Sequence, residues 1–117
     1  MNLAGTFYNT ISFDINSKGF YATMELFPNH PVYKGHFPMQ PVVPGVFTLA
    51  IVRECAAAVL GRDVEYAEIK ECKFISALQP QDEMEITLDF SISDGEGLNG
   101  IIMRNNDIVL KLKAKLK

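Results

Sequence analysis

The sequence predicts an α+β fold in which a curved antiparallel sheet wraps around one long, central, apolar helix. Two observations carry this. Residues 45–60, GVFTLAIVRECAAAVL, form a stretch in which only Thr48, Arg53 and Glu54 are plainly polar. A surface helix carries a broad polar face, so one that is apolar almost all round must be enclosed by other elements. Six segments flanking that stretch read as strands, and with a single helix available, the sheet has to do the enclosing.

The elements follow in order. Ile11, Phe13 and Ile15 alternate with Ser12, Asp14 and Asn16, the turn-like Ser17-Lys18-Gly19 follows, and Phe20 to Leu26 alternates again, which reads as a hairpin. Residues 27–44 hold five of the six prolines. Proline donates nothing to a ladder, so the stretch reads as an ordered, functional-looking loop. Pro44 suits the opening position of the helix and Gly61 its stop. Further strands fall at about Tyr66–Leu78, Met84–Ser93, Leu98–Asn105 and Asp107–Lys117, separated by turn-rich residues 79–82, 94–97 and 105–107. Met84, Ile86, Leu88, Phe90 and Ile92 face one way and Glu85, Thr87, Asp89 and Ser91 the other, the mark of a sheet with one wet side. The final strand sets Ile108, Leu110, Leu112 and Leu116 against Lys111, Lys113 and Lys115; its period of two makes LKLKAKLK a solvated strand face rather than a membrane-seeking helix. One domain spans residues 1–117, and its sheet edges invite a second copy, predicting a homodimer or higher homo-oligomer.

Composition narrows the function. With 117 residues, 48% of them hydrophobic and 21% charged, the chain is an ordinary globular protein. A net charge of -3 offers no general attraction for nucleic acid. Cys55 and Cys72 lack metal-site spacing and read as reduced thiols, so no metal is implied. The N-terminal segment lacks the pattern of a signal peptide, and no apolar run spans a bilayer, which predicts a cytoplasmic protein that does not enter a membrane.

Residues 35–47, GHFPMQPVVPGVF, resemble the beta-hydroxyacyl carrier-protein dehydratases of the hotdog fold, whose signature reads GHFPxxPxxPG followed by an apolar helix. The likeness extends more weakly to Lys73-Phe74 and to the Pro80-Gln81-Asp82 turn. It implies a site shared between subunits, with His36 acting on the substrate, the Gly45 amide stabilising the oxyanion and an acid on the central helix of the partner chain. The family's acid falls fourteen residues after the histidine, where this chain has Ala50, and Met39 stands where a glycine often follows HFP. Glu54 lies four residues beyond Ala50, on the same helix face and about 6 Å further along the axis. Helical side chains lean toward the N-terminus, so Glu54 covers the turn of Ala50, whose methyl leaves room for it.

Dehydrating a 3-hydroxyacyl thioester needs a base, an oxyanion stabiliser and an acid. His36 suits the first role, the Gly45 amide (with Val46) at the positive end of the helix dipole the second, and a buried carboxyl at Glu54 the third. Pro38, Pro41 and Pro44 stiffen the loop that presents His36. Phe37, Val42, Val46, Phe47 and Phe74 are candidates to line an apolar acyl tunnel beside the helix. Plainer readings stand beside these: a structural His36, a Glu54 paired with Arg53 or another cation, and a stripe of Val46, Leu49, Ile51 and Val52 that is core first. His30 reads as a loop residue.

The resemblance implies a dehydratase giving trans-2-enoyl thioesters, with acyl carrier protein as the carrier, Lys34, Arg53, Arg62, Lys70 and Lys73 as cations that would meet it, and no organic cofactor. Rival readings are a thioester hydrolase of the same fold and, given Ala50, a noncatalytic acyl-binding partner subunit.

Overall fold

Asn16 makes the first turn. Its side-chain Oδ1 accepts the Lys18 and Gly19 amides at 2.8 and 2.9 Å, and its own amide donates to the Gly19 carbonyl at 3.0 Å. This closes a hairpin of β1 (Tyr8–Ile15) and β2 (Gly19–Leu26). The computed structural model describes residues 8–27, 45–76 and 84–117. After the hairpin come α1 (Gly45–Leu60), β3 (Tyr66–Phe74), β4 (Met84–Ser93), β5 (Gly97–Arg104) and β6 (Asp107–Leu116). The strands form one six-stranded sheet in the order β1-β2-β4-β5-β6-β3, antiparallel throughout.

The helix has the bounds that the sequence predicts. Gly61 ends it at φ +68°, with the Gly61 and Arg62 amides both donating to the Ala57 carbonyl at 2.9 and 3.3 Å. A left-handed residue carrying the amides back onto a last-turn carbonyl is the ordinary way for a helix to stop. On the helix Ile51, Val52 and Ala56 are fully buried and Cys55 nearly so, against Phe20, Met24, Ile86, Leu88, Ile102 and Leu112 of the sheet. Along β2 and β4 the predicted alternation holds without a slip. At one end of the inner face three rings stack across β1, β2 and β4: Phe13 on Phe20 and Phe20 on Phe90, each pair with centroids 5.6 Å apart.

The other strands depart from simple alternation. In β1 the register skips at Ile11, between Thr10 opposite Met24 and Ser12 opposite Thr23. One extra residue reverses the facing of everything beyond it, so Tyr8 and Phe13, five positions apart, share the inner face. Ile11, on the bulge, and Ile15, at the strand end, are exposed. The same device in β6 buries Val109 and leaves Ile108 only partly covered, where plain alternation assigns Ile108 to the core. Strand β3 carries two shifts and ends at Phe74, short of the predicted Leu78, of which residues 77 and 78 lie outside the described residues.

Two tyrosines from opposite edges of the sheet reach the helix. From β1, the Tyr8 hydroxyl donates to Glu54 Oε1 at 3.3 Å; from β3, the Tyr66 hydroxyl donates to the Leu49 carbonyl at 2.7 Å. Both edges meet the same stretch of helix, so the sheet is curled around it. Among the described residues no helix is long and apolar enough to cross a membrane.

Two stability predictions follow from this packing. A Cβ added at Gly100 would sit 2.6 Å from both the Phe90 Cα and its ring Cδ2, and closer still to the Asp89 carbonyl. Gly100→Ala is expected to cost about 3 kcal/mol in urea unfolding, against about 1 kcal/mol for Gly61→Ala, where only the left-handed φ objects. Burial, with the Glu54 charge adding to it, pushes the Cys55 thiol up from 9.0 to about 12. The unfolded thiol ionises first, so this contribution to stability is intact below about pH 9 and is lost as the pH rises toward 12. Cys55→Ala should flatten the alkaline limb of a stability–pH curve, and an unchanged limb would show that the thiol is not sequestered.

Candidate active site

The start of α1 is shaped by a missing side chain. A Cβ on Gly45 would lie 2.7 Å from Cζ and 3.1 Å from Cε1 of Phe74, so the ring at the end of β3 rests directly on the glycine backbone. Two sequence-predicted site residues far apart in the chain are thereby brought together. Phe74 keeps 54% of its surface exposed and the neighbouring Val46 66%, giving the helix start an open apolar shelf. Thr48, buried to 4%, donates its hydroxyl to the Gly45 carbonyl at 2.7 Å and braces the first turn. The first amides of a helix have no partner within it, and the positive end of the dipole lies there. This end of α1 is therefore suited to an oxygen that gathers negative charge.

The structure places the remaining candidates differently. Phe47 is partly buried against the core, more wall than open lining. Ala50 is also partly buried there, one turn before Glu54. Glu54 is half-buried, nine residues beyond Gly45 and hence about 13 Å along the axis. His36, Phe37 and Val42 lie outside the described residues, as do Lys34, Met39, Pro44 and the rest of residues 28–44.

Tyr8 and Tyr66 are contacts of the helix that the sequence does not reveal. Each is half-hidden in an edge strand whose bulges hide its facing. Tyr8 is 4% exposed, and burial, followed by the Cys55 and Glu54 charges, holds its hydroxyl well above the ordinary phenol range despite the opposing pull of Arg53. Burial does the same for Tyr66. Both hydroxyls thus stay protonated and act as donors. Among the described residues no group of three or more His, Cys, Asp or Glu side chains could hold a metal ion.

Comparison with known proteins agrees with this architecture. The ApeI-like family model, described as ApeI dehydratase, matches residues 13–100. The chain is 28% identical to a 3-hydroxyacyl-[acyl-carrier-protein] dehydratase FabZ of Chlamydia pneumoniae, over 91% of this chain and 75% of that protein. With the FabZ of Chlamydia trachomatis serovar L2 it shares 30% identity over 74% of this chain and 63% of that protein. Among solved structures it is similar in fold to the dehydratase heterocomplex ApeI:P from Xenorhabdus doucetiae, with a TM-score of 0.76, 24% identity and 92% and 96% of the two chains covered. An uncharacterized protein from Erwinia carotovora subsp. atroseptica has the same fold, with a TM-score of 0.71 at 21% identity over 94% and 95% of the chains. The curled six-stranded sheet around one helix is the hotdog fold, and with the family model matching three quarters of its length this chain belongs to the ApeI-like dehydratase family.

Proposed function

We propose that this chain is a hydro-lyase that converts 3-hydroxyacyl thioesters, carried on acyl carrier protein in the cytoplasm, to trans-2-enoyl thioesters. The observation that carries the reading is the GHFPMQPVVPG segment running straight into an apolar helix whose first residue lies bare under Phe74. His36 removes the proton next to the thioester carbonyl, and that C–H pair becomes the new double bond. The Gly45 and Val46 amides take up the charge that builds on the thioester oxygen. The resemblance puts the acid on the partner chain's central helix, so Glu54 of a second copy protonates the departing 3-hydroxyl and the C–O bond breaks to release water. The acyl chain lies against Phe74 and Val46, with Phe47 beside them and Phe37 and Val42 as further candidates from the sequence.

A second copy completes this site in the proposed assembly. Strand β3 is an unpartnered edge of the described sheet that leaves Ile69, Phe74 and Ile75 exposed at 42%, 54% and 53%. Pairing along such an edge buries this surface and brings a second helix near the first shelf. The similar Xenorhabdus doucetiae chain comes from a dehydratase heterocomplex, and this chain has Ala50 where the resemblance expects an acid. Those two facts support a second reading, in which the chain is the noncatalytic acyl-binding member of a pair.

Incubation with a carrier-bound 3-hydroxyacyl substrate separates the readings. Dehydration gives the ultraviolet absorbance of a conjugated enoyl thioester, hydrolysis releases free thiol, and binding without turnover marks the noncatalytic subunit. His36→Ala and Glu54→Gln should each lower kcat by about 100-fold or more; activity that survives Glu54→Gln clears Glu54 of the acid role. Gly45→Ala is expected to cost less than about 1 kcal/mol of stability, because the exposed Phe74 ring can swing aside, while lowering kcat/KM about tenfold.

A further inference from the structure

We propose that Tyr8 is a positioning residue for Glu54, its hydroxyl fixing which carboxyl oxygen delivers the proton; this rests on the reading of Glu54 as the acid.

The contact joins the first described residue of β1 to the middle of the helix, with the Tyr8 hydroxyl 3.3 Å from Glu54 Oε1. It exists only because the bulge at Ile11 turns Tyr8 inward; without it, Tyr8 would face the opposite side of the sheet from Phe13. Tyr8 is 4% exposed, so bulk water does not compete for its hydroxyl. A group buried in this way stays protonated throughout any working range, and toward an ionised carboxylate it can only donate. Donation to Oε1 makes that oxygen the acceptor and assigns the transferable proton to Oε2, so the acid is aimed.

The same contact acts on the rate. A hydrogen bond to a charged acceptor is about twice as strong as one to a neutral acceptor. As Glu54 passes its proton to the leaving hydroxyl, the O–H bond at Oε2 breaks, water departs, and the carboxylate charge left behind is shared with Oε1. The Tyr8 bond therefore tightens as the transition state is reached, which stabilises that state more than the bound substrate. The proton taken up by His36 leaves to solvent and Glu54 regains one from solvent, so the cycle balances. At 3.3 Å the bond is long for an O–H donor, and catalytic hydrogen bonds commonly tighten when substrate is bound.

The test is a double-mutant cycle read as kcat and KM separately. Tyr8→Phe keeps the ring and is expected to lower kcat about tenfold or more with KM unchanged, and to have no further effect in a Glu54→Gln background. Fluorotyrosine at position 8, a stronger donor of the same shape, should hold kcat at or above the wild-type value and secures the result against a folding defect in the phenylalanine variant. An equal loss from Tyr8→Phe in both backgrounds, or wild-type kcat in Tyr8→Phe beside an inactive Glu54→Gln, overturns the positioning role alone. Wild-type kcat in Glu54→Gln, or no dehydration by the native protein, removes the acid assignment and this inference with it.

Discussion

Covering a helix that has almost no polar face is the constraint on which the rest of this structure depends. A flat sheet of six strands is about 24 Å across, whereas a helix with its side chains is about 10 Å thick. Tyr8 on one edge and Tyr66 on the other nevertheless bond to Glu54 and to the Leu49 carbonyl, positions little more than one turn apart. Only a strongly curled sheet permits both contacts. The curl leaves Ile51, Val52 and Ala56 with no exposed surface, and leaves the outer face to solvent, where Lys113 stands opposite Glu71 and Lys115 opposite Glu68. The lysine-rich end of the chain is in this way a wet strand face, and its alternate leucines belong to the core.

Much of this was legible because β2 and β4 pair over their whole length without a register shift. Their alternation in sequence is their alternation in space, and the helix is equally plain because Gly61 ends it in the conformation that glycine favours. Legibility fails where bulges intervene. Sequence alternation groups Ile11, Phe13 and Ile15, yet the extra residue in β1 puts Phe13 on the same face as Tyr8 and leaves Ile11 exposed on the bulge, while Ile15 is exposed at the strand end. In β3 two shifts put Tyr66, Ile69, Cys72 and Phe74 opposite the inward residues of β6, at spacings that no period of two contains. A bulge is a choice between pairing energies across strands, which a single segment read alone does not record.

The candidate site divides along the same line. Gly45 and Phe74 both stood out in the sequence, one as a helix start after a proline-rich loop and the other in a weaker likeness near the end of a strand. Their direct contact depends on where β3 stops relative to α1, which is a property of the folded sheet. The half-open Phe74 ring thus joins two demands, an uncovered edge that favours a partner and an apolar surface beside the helix amides. A side chain at residue 45 would lift the ring away and separate them.

In the proposed reading, Ala50 and Glu54 are one problem viewed from two places on the helix. A carboxyl moved by one turn keeps its face but changes its origin by about 6 Å, so to serve the same reacting atoms it must lean back along the groove that the smaller side chain leaves. Leaning is a matter of rotamer, and a half-buried glutamate has several of comparable energy unless something selects one. The neighbours one turn away, Ala50 and Ala58, offer a carboxyl no polar side chain. Across the core, the edge strand offers Glu54 a partner by giving up a regular ladder at Ile11 to turn a buried hydroxyl inward. The irregularity in β1 is what turns Tyr8 inward, so a flaw in strand pairing ties the edge strand to the helix at Glu54, one turn beyond the small residue at position 50.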